Sequence, residues 1–462
     1  MRGAHEEVAF ICCGGSNHFI GVWGSDSDNN DDDGKNLDGK VTVQVIDGYL
    51  SNAQLCVDRN RNAHCNTGEL LTEKTNGNGQ ITISESDSQF PLIARVIAGE
   101  SSDSDHPGFV WQEAEFYAPA GQTILSPFST LAYLNDQSLA DYAASLNLDA
   151  NLLSQDYVAL KSSNPDAKKV HLYARTMHAM LGETLSDNNL EGQKTWIQNL
   201  KNKIQALENG QVDFDAVTLS LDKDNGQFTQ SDRVKGIQTF LEGNGGVKFL
   251  EWLNASIDIP HQLTFTDEKI TDSSIGYIQV GTDYQVSGTS VTMASQPETK
   301  IDFVYVSPDI ALGYVYSDPS TKFLTFWQSE DDYLNGSTDL VQEDFTGQIW
   351  YLLRDAAGPE AKEEEPPVPE LNELVFLSAT HVSINPMGSD AYEAEWSFTS
   401  DPNESFQTLT IQFSNNDSMI LDTDVSKAGV TLLKRKIVDD NPQNILMTQN
   451  KALAKALHKH WQ

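Results

Sequence analysis

Between residues 41 and 120 apolar and polar side chains alternate in short runs. Val41-Thr42-Val43-Gln44-Val45 shows this most clearly, and runs at 54–57, 80–84, 91–97 and 113–118 repeat it between turn signals such as Asn76-Gly77-Asn78-Gly79. A period of two turns one side of each run toward a core and the other toward water, as half-buried strands require. Short strands at this spacing predict a small β-sandwich over 41–120. After Ser126-Pro127 the period lengthens. Residues 130–134, 139–146 and 150–159 read as short helices, and 165–185 as a long one whose Val170, Ala174, Met177 and Leu181 share a stripe. Trp196, Ile197, Leu200, Ile204 and Leu207 mark another helix, and 232–241 and 246–253 a further pair, so 121–256 is expected to be an α-helical region. Alternation returns over 262–356, an expected antiparallel β domain. Gly358–Pro369 reads GPEAKEEEPPVP, a composition that stays extended and predicts a Pro/Glu linker over 357–371. A small β domain over 372–433 and a basic C-terminal tail over 434–462 follow. The predicted fold class is multidomain and β-rich with a helical segment: an N-terminal β-sandwich, an α-helical middle and antiparallel β blocks in the C-terminal half.

Charge narrows the partners. The chain of 462 residues carries 67 acidic against 30 basic side chains, a net charge of −37. Such a surface repels phosphate, which excludes nucleic acid and anionic membranes as natural partners. No run approaches the roughly 18 apolar residues of a transmembrane span. Residues 1–40 end in SDSDNNDDDGKNLDGK and are expected to be a disordered acidic tether. Cys56 and Cys65 bracket a polar loop in a body otherwise free of cysteine. They are expected to form a local disulfide, which places the protein in an oxidising compartment: extracellular, at an outer-membrane surface, or periplasmic.

The loop that starts between these cysteines and runs past Cys65 to Glu69 holds the most specific chemistry. Asp58, Asn60, Asn62 and Glu69 occupy positions 1, 3, 5 and 12 of an EF-hand-type calcium loop, and the His64 carbonyl falls at position 7. Alternate side chains of a tight loop point inward, so these oxygens can converge on one hard cation, calcium. Ala63 departs from the pattern at position 6, where glycine normally makes the turn. A second acidic turn, Asp222-Lys223-Asp224-Asn225-Gly226, lacks the closing glutamate and reads as a solvated turn.

GYLSNAQLCVDRNRNAHCNTGE followed by TNGNGQITI resembles the carboxypeptidase-regulatory-like (transthyretin-like) β-sandwich modules of bacterial surface lipoproteins and adhesin-type proteins. The segment Ile124 to Leu131, ILSPFSTL, resembles the stretch that leads from such a module into small helices. The resemblance covers about 41–185. It implies a stalk or binding module, of a kind that also precedes mucin-directed metalloproteases, whose H-E-x-x-H motif this chain lacks. Cys13, followed by Gly14-Gly15-Ser16-Asn17, resembles the first residue of a mature bacterial lipoprotein and is the expected lipid-anchor site, although Cys12 departs from the small residue expected before it.

The chain has no G-x-S-x-G elbow and no phosphate-binding glycine loop. His171 and His178 share a helix face but have no acidic partner nearby in sequence, so they read as structural. Trp327, Trp350 and Trp396 are candidates for a sugar-binding surface, or for core. The expected function is a non-catalytic structural, adhesion or ligand-binding role, with a carbohydrate or an envelope protein as partner. The alternative is a glycan-active hydrolase using carboxylates in 262–355.

Overall fold

The structure is a computed structural model. It describes residues 39–106, 108–181, 190–222, 225–243, 247–251, 261–273, 279–318, 321–329, 339–356, 367–387, 389–400, 407–414, 417–427, 429–436 and 443–462.

The chain is β-rich, and the sandwich is present. Lys40–Val45 pairs antiparallel with Gln80–Ser84 and parallel with Ile124–Leu125, while Gln54–Val57, Leu70–Lys74, Leu92–Val96 and Ala114–Ala118 form a second sheet. Val43, Val45, Ile81 and Ile83 from one sheet meet Leu55, Val57, Leu92, Ala94 and Phe116 from the other in one buried core. These are the apolar positions of the alternating pattern. A short ribbon, Leu50–Ser51 with Ser102–Asp103, carries the turns that build the site described below.

The change of period at Ser126 is a true helix start. Ser126 Oγ accepts from the Ser129 N–H, Ser129 Oγ accepts from the Ser126 N–H, and Pro127 opens the Pro127–Leu134 helix. Helices Leu139–Ser145, Ala150–Leu153, Tyr157–Leu160, Pro165–Leu181 and Leu190–Asn209 follow. Pro165–Leu181 buries Val170, Ala174, Met177 and Leu181, the predicted stripe, in the same core as the sandwich.

The helical region ends sooner than expected. Val217–Asp222 and Gln227–Asp232 form a hairpin, Lys223 and Asp224 of the second acidic segment lie outside the described residues, and only Ile237–Leu241 of the predicted helix at 232–241 is helical. Val247–Glu251 is a strand, because it finds partners on both sides, His261–Thr266 and Thr321–Ser329. It joins an eight-stranded antiparallel sheet with Lys269–Ser273, Tyr284–Ser287, Ser290–Met293, Gln296–Val306 and Ile310–Asp318. The two edge strands of this sheet meet: the Ile270 N–H donates to Thr282 O (3.0 Å) and the Tyr284 N–H to Glu268 O (2.9 Å).

The remaining strands form a closed eight-stranded barrel in chain order: Ile349–Asp355, Pro369–Phe376, His381–Pro386, Tyr392–Ser400, Gln407–Gln412, Ser418–Lys427, Val430–Lys436 and Gln443–Thr448. Ile349–Asp355 pairs with both Pro369–Phe376 and Gln443–Thr448, which closes the ring. The Pro/Glu run therefore joins two neighbouring strands of one barrel instead of separating two domains. Residues 434–462 are likewise no free tail. They complete the barrel and add a helix, Lys451–Trp461, whose Leu453, Leu457 and Trp461 are buried against both the barrel and the eight-stranded sheet.

Candidate functional site

The stapled loop starts at the end of Gln54–Val57. A disulfide joins Cys56 to Cys65 with Cα atoms 5.7 Å apart. Asp58 is fully buried, and its two carboxylate oxygens accept the Asn62 and Ala63 N–H groups at 3.0 and 2.9 Å. Asn60 Oδ1 accepts the same Asn62 N–H, and Asn62 Oδ1 accepts the His64 N–H. From the far end Glu69, also buried, reaches back: Oε1 accepts the Asn60 N–H, and Oε2 accepts both the backbone and side-chain N–H of Asn66. The Asn66 side chain is the main reason the Glu69 carboxyl sits below its ordinary range, with loop amides adding to it. Ala63 adopts φ +58°, the left-handed conformation that a glycine at this position would take without strain. Asn60, Asn62 and His64 are exposed, and the His64 carbonyl accepts from Asn66 Nδ2. The named positions offer only oxygen donors, a set suited to a hard cation. Both Asp58 oxygens and Glu69 Oε1 accept one amide each and keep lone-pair capacity beyond it, whereas Glu69 Oε2 accepts two.

A second site was not foreseen. The Pro165–Leu181 helix presents His171 and His178 to two turns of the sandwich. His178 Nδ1 hydrogen-bonds Asp47 Oδ2, and His171 Nε2 hydrogen-bonds Asp105 Oδ2. Arg233, brought in by the Gln227–Asp232 hairpin strand, bridges Asp105 (2.6 Å) and Asp215 (2.7 Å). Lys161 lies 3.4 Å from Asp215. Asp47, Asp103, Asp105, His171, His178 and Arg233 are all buried. Burial would raise the Asp105 carboxyl, but the His171 hydrogen bond and the charges of His171, Arg233 and Lys161 hold it well below the usual range. Asp103 moves the opposite way: burial first, then the neighbouring Asp47 and Asp105 charges, push it well above that range. Arg175 closes one side of the knot, donating to Phe214 O (2.9 Å), and its burial pushes it down to about 10. An open cleft of about 260 Å³, lined by His106, Gln112, Arg175, Thr176 and Ser220, lies on the same helix.

The acidic partners of His171 and His178 lie 66 and 131 residues away in the chain, so local spacing could not reveal them. The available signal was the seven-residue interval that puts both imidazoles on one helix face. Trp327, Trp350 and Trp396 are buried in cores and do not form a sugar-binding surface. In the cleft beside the eight-stranded sheet, Asp302 is engaged by Lys300 and Ser290. Cys13 lies outside the described residues. Among the described residues no helix is long and apolar enough to cross a membrane. No protein-family model matches this chain, and no curated protein matches it in sequence.

Proposed function

We propose that the chain is a non-catalytic, calcium-stabilised structural or ligand-binding protein of a bacterial surface or secreted assembly, in contact with a carbohydrate or an envelope protein. The observation that carries this reading is the Asp58–Glu69 loop. Ala63 takes the left-handed conformation, the Asp58 and Glu69 carboxylates accept loop amides, and a disulfide closes the segment from Cys56 to Cys65, which supports an ion-holding turn. Asp58, Asn60, Asn62, the His64 carbonyl and Glu69 would hold the ion, which would supply charge neutralisation and rigidity. The disulfide favours an oxidising compartment, and a lipid on Cys13 would anchor the acidic tether there. The apolar cores of the sandwich and barrel support a scaffold reading.

Calorimetry of the intact chain with calcium and with a chelator tests this. Calcium at 100 times its Kd stabilises a native-only site by about 2.7 kcal/mol. Calcium is expected to raise the melting temperature of the intact chain, and Glu69→Ala to remove the difference. Magnesium is expected to substitute poorly, because it gives up its water reluctantly. Identical melting with calcium and with chelator would overturn the calcium assignment.

A further inference from the structure

The sandwich contains a second cluster whose chemistry the calcium loop does not use. Asp47 and Gly48 form the turn between the bridged residues Ile46 and Tyr49, and Asp103 ends the ribbon strand paired with Leu50. Ser104 locks the two turns together, its Oγ accepting from the Tyr49 N–H (2.9 Å) and its N–H donating to Tyr49 O (3.1 Å). Asp103 lies so close to the Gly48 backbone that any Cβ there would collide with its carboxylate. The two carboxylates are thus fixed by backbone geometry and face His178 on the Pro165–Leu181 helix. One donor atom from each of Asp47, Asp103 and His178 lies within 4.8 Å of the others. Exposure is 1% for Asp47, 4% for Asp103 and 8% for His178.

One atom of this cluster is unaccounted for. Asp47 Oδ2 is taken by His178, but Asp47 Oδ1 is sealed from solvent and has no hydrogen-bond partner among the described residues. A buried carboxylate oxygen without a partner is destabilising, and more so with a second carboxylate beside it. Arg233 and Lys161 do not relieve it, because they are committed to Asp105 and Asp215. A divalent cation would neutralise both carboxylates and occupy the orphaned oxygen.

We propose that Asp47, Asp103 and His178 form a buried site for a borderline divalent transition cation, with zinc as its natural probe. Two carboxylate oxygens with an imidazole nitrogen make a donor set that zinc accepts and that calcium and magnesium, which prefer all-oxygen shells, do not. As the ion enters, the His178–Asp47 hydrogen bond is given up: the neutral imidazole carries its one hydrogen on Nε2, so the Nδ1 lone pair becomes a ligand, and any proton held between the carboxylates leaves to solvent. The ion would join three segments far apart in sequence: the first strand's turn, the ribbon and the long helix.

The experiment uses the intact chain, stripped with a chelator and then titrated with zinc alone. The expected result is one tightly held zinc per chain, a higher melting temperature, and a cobalt(II) derivative with visible absorption from nitrogen and oxygen ligation. Asp103→Asn and His178→Gln are each expected to weaken zinc binding by more than about a hundredfold, the upper end of the loss seen for outer-shell changes. Glu69→Gln in the calcium loop, and the joint change His458→Gln with His460→Gln on the C-terminal helix, are expected to leave it intact. Two results would overturn the proposal. One is zinc binding lost with the C-terminal histidines and retained in Asp103→Asn. The other is no zinc binding by the wild-type chain; Asp103→Asn at least as stable as wild type would then mark a proton shared between the carboxylates instead.

Discussion

Arg233 is the residue on which the buried knot depends most directly, since its guanidinium serves Asp105 and Asp215 at once. Arg233→Met removes the guanidinium that Asp105 and Asp215 share and leaves Lys161 as the cation beside both. It is expected to cost about 3–5 kcal/mol, the usual loss on breaking a buried pair from one side, measured by urea denaturation. Asp215 adds a pH dependence. The His171 ring, then Lys161, Arg233 and Lys235, hold its carboxyl below the ordinary value. A lowered folded-state pKa gives stability that is complete above the unfolded value, about 3.9, and is lost as pH falls below it. Asp215→Asn is therefore expected to flatten the acid limb of a stability–pH profile below about pH 4 and to change its neutral limb less. Ala63 offers a test of the loop itself. At φ +58° an alanine carries strain that glycine does not, so Ala63→Gly is expected to stabilise the chain by up to about 1 kcal/mol. A loss would show that the loop does not use the left-handed turn. At this scale the sequence was most informative where partners are close along the chain. Asp58 through Glu69 could be read from spacing alone, whereas Asp47, Asp103 and Asp105 are ordinary acids among many until the fold brings them to the helix.

Among the elements, those with local signals were legible. Ser126-Pro127 announced a helix because capping is a contact between residues three apart, and Ser126→Ala is expected to cost about 1 kcal/mol by thermal denaturation. The barrel was not legible. Alternation marks a strand's two faces but says nothing of which strand lies beside it, and the charged, proline-rich run at 357–371 has the composition of a linker while connecting paired neighbours. Val247–Glu251 was misread for the same reason, since its state is decided by the strands that flank it. The barrel core is organised around Phe345, whose ring centroid lies 5.1 Å from those of Trp350 and Phe398, 5.3 Å from Phe376 and 5.9 Å from Trp396. Phe345→Ala is expected to cost about 3–5 kcal/mol, seen as a lower midpoint in denaturant with tryptophan fluorescence as the probe.

For residues 39–462 as a whole, the C-terminal helix is the shared element. Leu453, Ala454, Leu457 and Trp461 pack with Leu312, Tyr314 and Phe326 of the eight-stranded sheet and with Leu353, Leu371 and Leu432 of the barrel. The Tyr314 hydroxyl donates to Leu457 O, and Asn450, which caps the helix, also donates to Trp111 O (2.9 Å) of the sandwich segment. Sheet, barrel and sandwich thus share contacts through one short helix. Leu457→Ala is expected to cost about 2–5 kcal/mol and to lower the unfolding of sheet and barrel together; a drop confined to one of them would show that the helix does not couple them. The amphipathic pattern of this helix was visible in the sequence, but its role was not, because a basic, amphipathic segment reads as a solvated tail until a second apolar surface is known.

The Cys56–Cys65 bridge has a mechanical consequence. A module under tension lengthens by the contour of the chain it releases. The bridge removes the nine links between Cys56 and Cys65 from that contour. At about 3.4 Å per link, less the 5.7 Å between the two Cα atoms, the hidden length is roughly 25 Å. In single-molecule force spectroscopy the sandwich is therefore expected to unfold with a contour increment about 25 Å shorter when oxidised than after reduction. Load would bypass the Asp58 end of the loop, so those residues would keep their turn after the strands around them had been drawn out.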